Sequence, residues 1–289
     1  MLISFHIGAH CTYGSKLMRG LLKNRPILEQ HGVIVPPPSR YREVLPQVMK
    51  KIKTSRATTE AEEMVIDEIT DMQTCDRMVL SYEDLICMPK GIFYNDRLYG
   101  QAEFKLKWLR NVFPSSPMEF HIGVRNPATF IPDACPDSEN YADFIGKTNV
   151  DAVLWSDLIK TMRRACPDVP VTVFAYEDTP LTWSQVMRSI AGLDQMVPIE
   201  GGLDILAQIM QREGMKRLRT YLHTHPPQNE MQRRRILSAF LDKYVDEDAI
   251  EEEIDLPGWD DALIERLTER YEDDLYAIED IPGVTFIQP

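Results

Sequence analysis

The feature that most constrains this chain is a repeated order of short apolar runs and helix-spaced segments. Leu2–Gly8 (LISFHIG) is a β-forming run that stops at a glycine, and Leu17, Leu21, Leu22 and Leu28 then recur at close to helical spacing over residues 14–31. Arg77–Ser81 (RMVLS) is followed by turn signals over Tyr82–Gly91 and by a predicted helix over 99–113, with Phe104, Leu106, Trp108, Leu109 and Phe113 as its apolar members. Met118–Val124 (MEFHIGV) precedes a mostly helical stretch over 138–165, and Val169–Ala175 (VPVTVFA) precedes a helix from about Thr182 to Ala191. Gly32–Pro38 is a brief strand closed by three prolines, and residues 40–72 read as helical, most clearly at Ala57–Ile69. Strands that alternate with helices and read as unbroken apolar runs predict an α/β fold with a parallel sheet flanked by helices.

Residues 203–280 break the alternation and are expected to be helical throughout. Their first half is basic (Arg212, Lys216, Arg217, Arg219, Arg233, Arg234, Arg235) and their second half acidic (Asp246 to Asp255). The basic half reads either as an anion site or as solvated helix faces, and the two halves are also able to pair with each other. Gly283–Ile287 (GVTFI) is expected to add a last strand. With no repeats and no clear linker, the expectation is one domain over 1–289, with an α/β core over 1–200 and a helical portion over 201–289.

The formal charge of −13 and the isoelectric point near 5.0 argue against general binding to nucleic acid, which needs a dominant basic surface. They leave room for a small anion held by two or three Arg or Lys side chains. No apolar run reaches the ~18 residues of a membrane span, and MLISFHIGAH reads as a strand, not a signal peptide. Five cysteines (Cys11, Cys75, Cys87, Cys135, Cys166) without a CxxC suit free thiols and a cytoplasmic location.

The stretch Phe5–Ser15 (FHIGAHCTYGS) runs from a buried strand into a helix. Backbone N–H groups at a helix N-terminus face whatever lies there, and the helix dipole favours an anion. Gly8, Thr12, Gly14 and Ser15 are small or hydroxylic, which suits a backbone wrapped around a phosphate, and Lys16, one turn into the helix, would add charge. The stretch is not a GxxxxGK[ST] loop: the glycines are one residue too far apart and Ser15-Lys16 reverses the order. The alternative is a tight turn that needs glycine for steric reasons. A second stretch, His121–Pro127 (HIGVRNP), sets Arg125 just past the end of a strand, where open α/β sheets bind ligands and where a planar guanidinium suits phosphate or sulfate. The alternative there is an Arg that caps a carbonyl or pairs with a carboxylate.

Together these residues resemble the P-loop sulfotransferases, in particular a bacterial branch that opens with His-Ile-Gly-x-x-Lys-Thr-Gly-Thr-Thr. This chain reads His6-Ile7-Gly8-Ala9-His10-Cys11-Thr12-Tyr13-Gly14-Ser15 at that place. The family's Arg-x-Pro is matched by Arg125-Asn126-Pro127, and the position of its following Ser holds Asp133. Leu80-Ser81-Tyr82-Glu83 and Val173–Asp178 are similar too, so the resemblance covers roughly residues 1–190. It implies a three-layer P-loop-type fold with a helical C-terminal extension. It further implies transfer of a sulfuryl group from 3′-phosphoadenosine 5′-phosphosulfate to a hydroxyl or amine of a small-molecule or glycan acceptor. The loop Gly8, Ala9, His10, Cys11, Thr12, Tyr13, Gly14 and Ser15 would cradle the 5′-phosphosulfate, and Arg125 and Asp133 would stand at the 3′-phosphate. Glu83 or His10 would serve as the base.

Two departures bear on activity. The loop Lys is Cys11, which offers no cation to the leaving oxygen unless Lys16 reaches back, and loss of one such donor costs about 10²–10³ in rate. The 3′-phosphate Ser is Asp133, a like charge that would repel the donor unless a cation intervenes. A non-catalytic relative that keeps the fold as a binding or scaffolding module is therefore the alternative, and a different P-loop transferase, such as a small-molecule kinase, is a third reading. His6 and His121, inside apolar strands, are expected to be core histidines. His6, His10 and Cys11, or His223 and His225, make incomplete zinc sets, so no metal is expected. Cys11 at a helix N-terminus is a candidate for a lowered thiol pKa, but without a His/Asn partner pattern.

Overall fold

The computed structural model describes residues 1–95, 97–134, 148–250, 256 and 258–289. Cys135, part of the helix expected over 138–165 and the end of the acidic run lie outside them. The strands are β1 (Leu2–His6), β2 (Val33–Ile34), β3 (Arg77–Ser81), β4 (Phe93–Tyr94), β5 (Arg97–Leu98), β6 (Met118–Val124), β7 (Val171–Ala175) and β8 (Val284–Ile287). Six of them form one parallel sheet in the order β2-β3-β1-β6-β7-β8, and β4 and β5 make a small antiparallel pair. The helices are α1 (Gly14–Lys23), α2 (Arg25–Gln30), α3 (Val44–Ile52), α4 (Thr59–Thr70), α5 (Ala102–Val112), α6 (Pro127–Ala134), α7 (Trp155–Ala165), α8 (Thr179–Ala191), α9 (Arg212–Thr224), α10 (Glu230–Tyr244), α11 (Glu247–Ile250) and α12 (Asp261–Glu279). The parallel α/β architecture is the one the alternation predicts.

The two sheet faces differ. Ile3, Phe5 and Ile7 of the first strand and its extension, Met78 and Leu80 of β3, Phe120 and Ile122 of β6, and Val171 and Val173 of β7 fill one large core beneath α3, α5, α7 and α12. The opposite face, under α1 and α8, is more polar, with Ser4, His6, Ser81 and His121 all buried. Ser4 Oγ donates to the Ile190 carbonyl of α8 at 2.8 Å, and His6 Nδ1 lies 2.9 Å from Ser81 Oγ. The apolar runs thus alternate more than a sheet buried in hydrocarbon on both faces requires.

Three expected boundaries shift for local reasons. The helix over 14–31 splits at Asn24, whose N–H closes α1 on the Leu21 carbonyl before Pro26 sets the first turn of α2. The helical span over 40–72 divides into α3 and α4, with Thr58 capping α4 through a bond from the Ala61 N–H. The span over 203–280 is not helical throughout: Pro226-Pro227 interrupt it after α9, and Met210 pairs with Val245 across an antiparallel bridge. The helices α9 and α10 pack as a hairpin around a small core of their own: Leu206, Met210, Met215, Leu218 and Leu237. The last strand returns to the sheet beside β7.

As expected, His6 and His121 lie buried in the sheet, directly opposite each other in the β1–β6 register. His6 Nε2 and His121 Nδ1 have no hydrogen-bond partner. Burial, and then His121, press the His6 pKa down to about 3. The unfolded chain takes up this proton near pH 6.5 and the folded chain near pH 3, so stability is fully present above 6.5 and falls as the pH drops through that window. The expected loss by pH 5 is about 2 kcal/mol. Urea midpoints against pH check it: a His6→Asn variant should lose close to one proton of slope between pH 6.5 and 4, and an unchanged slope would refute the assignment.

Candidate functional site

β1 leads through α1 and α2 to β2 on one side, while β3 crosses over to β6 on the other side of β1. The sheet therefore has its topological switch point at β1 and β6, and ligands of open α/β sheets bind in the crevice at such carboxyl ends. The two stretches singled out in the sequence meet there. The Ala9 N–H donates to the Gly123 carbonyl at 3.1 Å and the Gly123 N–H to the Gly8 carbonyl at 2.8 Å, so the loop continues alongside β6. Gly8 has φ +118°, a conformation that side chains disfavour. Cys11 and Tyr13 have φ of 58° and 66°, so the backbone coils tightly before α1. Thr12 is buried and its hydroxyl donates back to the Ala9 carbonyl at 2.6 Å.

Glu83 reaches this loop from the turn after β3. Its carboxylate lies against Gly14, where any side chain would overlap it. An internal carboxylate thus sits at the N-terminus of α1, the position that favours an anion. Burial raises the Glu83 pKa, opposed by the His10 ring, while Asp84 raises it further.

Arg125 is buried, and its Nη1 lies 2.5 Å from Asp133 Oδ2 and donates to the Cys11 carbonyl at 3.3 Å. Nε donates to Thr129 Oγ1 at 3.0 Å. The guanidinium also lies 4.4 Å from the centre of the Tyr176 ring. Tyr176 stacks on Tyr13 at 4.5 Å, and the Lys16 ammonium lies 4.3 Å from the far ring. A cation–ring–ring–cation column therefore ties Arg125 to α1.

Lys16 does not turn back over the loop: its ammonium donates to Gln208 and rests on Tyr13. Nor is the Cys11 thiol activated by the helix N-terminus. Burial, and then Asp133, push its pKa up against the pull of Arg125. This runs against the expectation of a lowered thiol pKa: burial, the largest cause, disfavours the thiolate, and Asp133 adds to it. Among the described residues, Cys11, Cys75, Cys87 and Cys166 are free. Ser15 is exposed on the first turn of α1.

His10 is clamped. Its backbone N–H donates to Tyr99 Oη at 2.9 Å, its Nδ1 lies 2.8 Å from the same oxygen, and its Nε2 lies 3.1 Å from Asp84 Oδ1. Tyr99 and Asp84 were not foreseen; Tyr99 lies 89 residues from His10 and no local pattern announces it. Glu177, in the stretch after β7, accepts the Asn126 N–H and the Tyr271 hydroxyl, both at 2.8 Å, and so fixes the turn that carries Arg125. The structure thus brings together the loop, Glu83, His10, Arg125 and Asp133, and turns Lys16 aside. Among the described residues no group of three or more His, Cys, Asp or Glu is placed to hold a metal ion, and no helix is long and apolar enough to cross a membrane.

In sequence, no protein-family model matches the chain, and no curated protein matches it.

Proposed function

We propose that this chain is a sulfotransferase-like protein that keeps the fold and the strand–loop–helix cradle but serves as a binding module and not as a sulfuryl transferase. The observation that carries this reading is the Glu83 carboxylate held at the N-terminus of α1, where a donor's phosphosulfate would lie. The second anion position is satisfied in the same way, by Asp133 on Arg125. As they stand, these residues do not fit a polyanionic donor. Two like charges ~4 Å apart repel by about 1 kcal/mol in water and ~4 kcal/mol near a protein surface. The cationic groups that would offset this are engaged: Arg125 with Asp133, and Lys16 with Gln208 and Tyr13. The loop position that holds a Lys in sulfotransferases holds Cys11, whose thiol keeps its proton.

A thermal shift with 3′,5′-adenosine diphosphate, with ATP–magnesium alongside, tests the proposal. The expected result is no shift with either ligand at millimolar concentration. A bound ligand at ~100 times its Kd would stabilise the fold by about 2.7 kcal/mol, a clear displacement of the melting curve. A shift with the adenosine diphosphate alone would overturn the proposal in favour of a working donor site, with Glu83 as the base to test. A shift with ATP–magnesium alone would favour a kinase.

A further inference from the structure

One face of α1 carries Lys16, Arg19 and Lys23, at positions i, i+3 and i+7. Beside them, between α1, α8 and the turn over 204–208, lies a cavity of about 290 Å³. Gly20 adds no side chain to its wall, and the cavity reaches Trp183 of α8. Asp204 is the one carboxylate among the residues that line it, and Lys23 takes it: Nζ lies 3.0 Å from Oδ2. Lys16 and Arg19 have no carboxylate partner among the described residues. Lys16 donates to the amide oxygen of Gln208, a neutral acceptor, and Arg19 Nε donates to the Ser15 carbonyl at 3.2 Å. Burial, and then the charge of Arg19, lower the Lys16 pKa. Two like charges thus stand together on a chain whose formal charge is −13, with no counter-charge between them.

Trp183 supplies an independent observation. A buried indole N–H ordinarily finds a partner. Trp155 and Trp259, also buried, donate theirs to the carbonyls of Arg125 and Ala128 at 2.7 and 2.9 Å. Trp183 is 2% exposed, yet its N–H makes no hydrogen bond among the described residues and is not one of the polar atoms sealed from water. An N–H that is neither bonded nor sealed opens onto the space its ring lines, here the cavity. Ammonium, guanidinium and indole N–H groups donate and cannot accept. Converging on one cavity, they call for a ligand that only accepts and carries negative charge.

We infer that the cavity between α1, α8 and the turn over 204–208 is a binding site for a small phosphate-bearing anion, held by Lys16, Arg19 and the indole N–H of Trp183. Arg19 brings a planar fork that matches phosphate oxygens, and Lys16 a point charge. The bound anion supplies the counter-charge that Lys16 and Arg19 lack. At the small end of the ~300–1,000 Å³ range of ligand sites, the cavity suits a free phosphate or a short phosphate ester and not a nucleotide. The site lies on the flank of α1 and not at its N-terminus. The inference is therefore independent of the loop at β1 and stands whether or not that loop binds a donor.

Calorimetric titration of the full chain with inorganic phosphate and, separately, with glycerol 3-phosphate is the test, at low salt and at ~0.5 M salt, with tryptophan emission followed alongside. The expected result is one site with a Kd of about 1 mM or below that salt weakens, and a change of emission that saturates with it. Lys16→Gln and Arg19→Gln should each weaken binding about tenfold. Asp204→Asn, which removes the opposing carboxylate, should tighten it about threefold. Trp183→Phe keeps a ring but loses the N–H, and should weaken binding and abolish the emission change. The variants at 16, 19 and 204 change the cavity's wall and carry the test on their own if Trp183→Phe fails to fold. Tighter binding of the ester than of free phosphate would assign the site to a phosphate ester, and the reverse order to the free ion. No binding at about 10 mM of either probe at low salt overturns the inference. So does binding that survives Lys16→Gln with Arg19→Gln, since the phosphate would then sit elsewhere, or binding that Asp204→Asn weakens.

Discussion

Removing both internal carboxylates, with Glu83→Gln and Asp133→Ser together, is expected to tighten binding of 3′,5′-adenosine diphosphate by about a hundredfold, ~2.8 kcal/mol. The first change leaves the Gly14 N–H and the α1 dipole without a competing charge. The second removes the carboxylate that lies 2.5 Å from the Arg125 guanidinium and puts in its place the hydroxyl of the motif that this stretch resembles. The effect should exceed that of either change alone, because a polyanion must displace both carboxylates at once. Calorimetric titration of the parent chain and the variants measures it. An affinity that does not move would mean that neither carboxylate stands where a donor's charge would lie, and the likeness to sulfotransferase motifs would lose its functional content. Adding Cys11→Lys places a cation at the leaving oxygen, and sulfuryl transfer gained only in that triple variant would mark the chain as an eroded enzyme.

The second large effect lies far from the loop. Glu230→Ala is expected to destabilise the fold by about 3–5 kcal/mol. Glu230 begins α10 and its Oε1 lies 2.7 Å from Arg188 Nη1 of α8, with both side chains less than a tenth exposed. Burial lowers the Arg188 pKa while Glu230 raises it again, so the carboxylate offsets part of the cost of burying the guanidinium. Arg233 is its neighbour, with Nε unpartnered, and Ser184 Oγ and Gln185 Oε1 are also buried without partners. Deleting the carboxylate would leave two guanidinium groups facing each other in the seam that joins α10 to the α/β core. Replacing the pair together, with Arg188→Met and Glu230→Leu, should cost far less, because no charge is then stranded. Urea unfolding of both variants separates these outcomes. A loss below ~1 kcal/mol for Glu230→Ala would mean that water already reaches the pair.

The elements that were legible in the sequence are those whose signal is local. Arg77–Ser81 and Met118–Val124 are strands at the expected residues, because a short apolar run between turn signals leaves few alternatives. The placement of Arg125 at a strand end followed from its Asn-Pro stop. What escaped was set by contacts distant in sequence. Glu83 read as a base beside the cradle, but its seat against Gly14 depends on how the turn after β3 falls over α1. Lys16 is adjacent to the loop in sequence, yet its direction is decided by Tyr13 and by Gln208, 192 residues away. The Tyr99 clamp on His10 has the same character. The continuous helix expected over 203–280 failed for a different reason: charge and helix-forming composition outweighed Pro226-Pro227, which are local and visible.

The position of β1 has a consequence for how this molecule comes together in time. The strand at the centre of the sheet is the first in the chain, and its partners are β3, from which it is separated by 75 residues at His6–Ser81, and the still more distant β6. Every pairing in the main sheet is parallel, so none can form as a local hairpin. Closing loops of that length costs entropy before any contact rewards it. The helices and the α9–α10 hairpin are built from near neighbours and are the segments able to order early. The cradle, hung on the end of β1, takes shape only when the most non-local pairings are made.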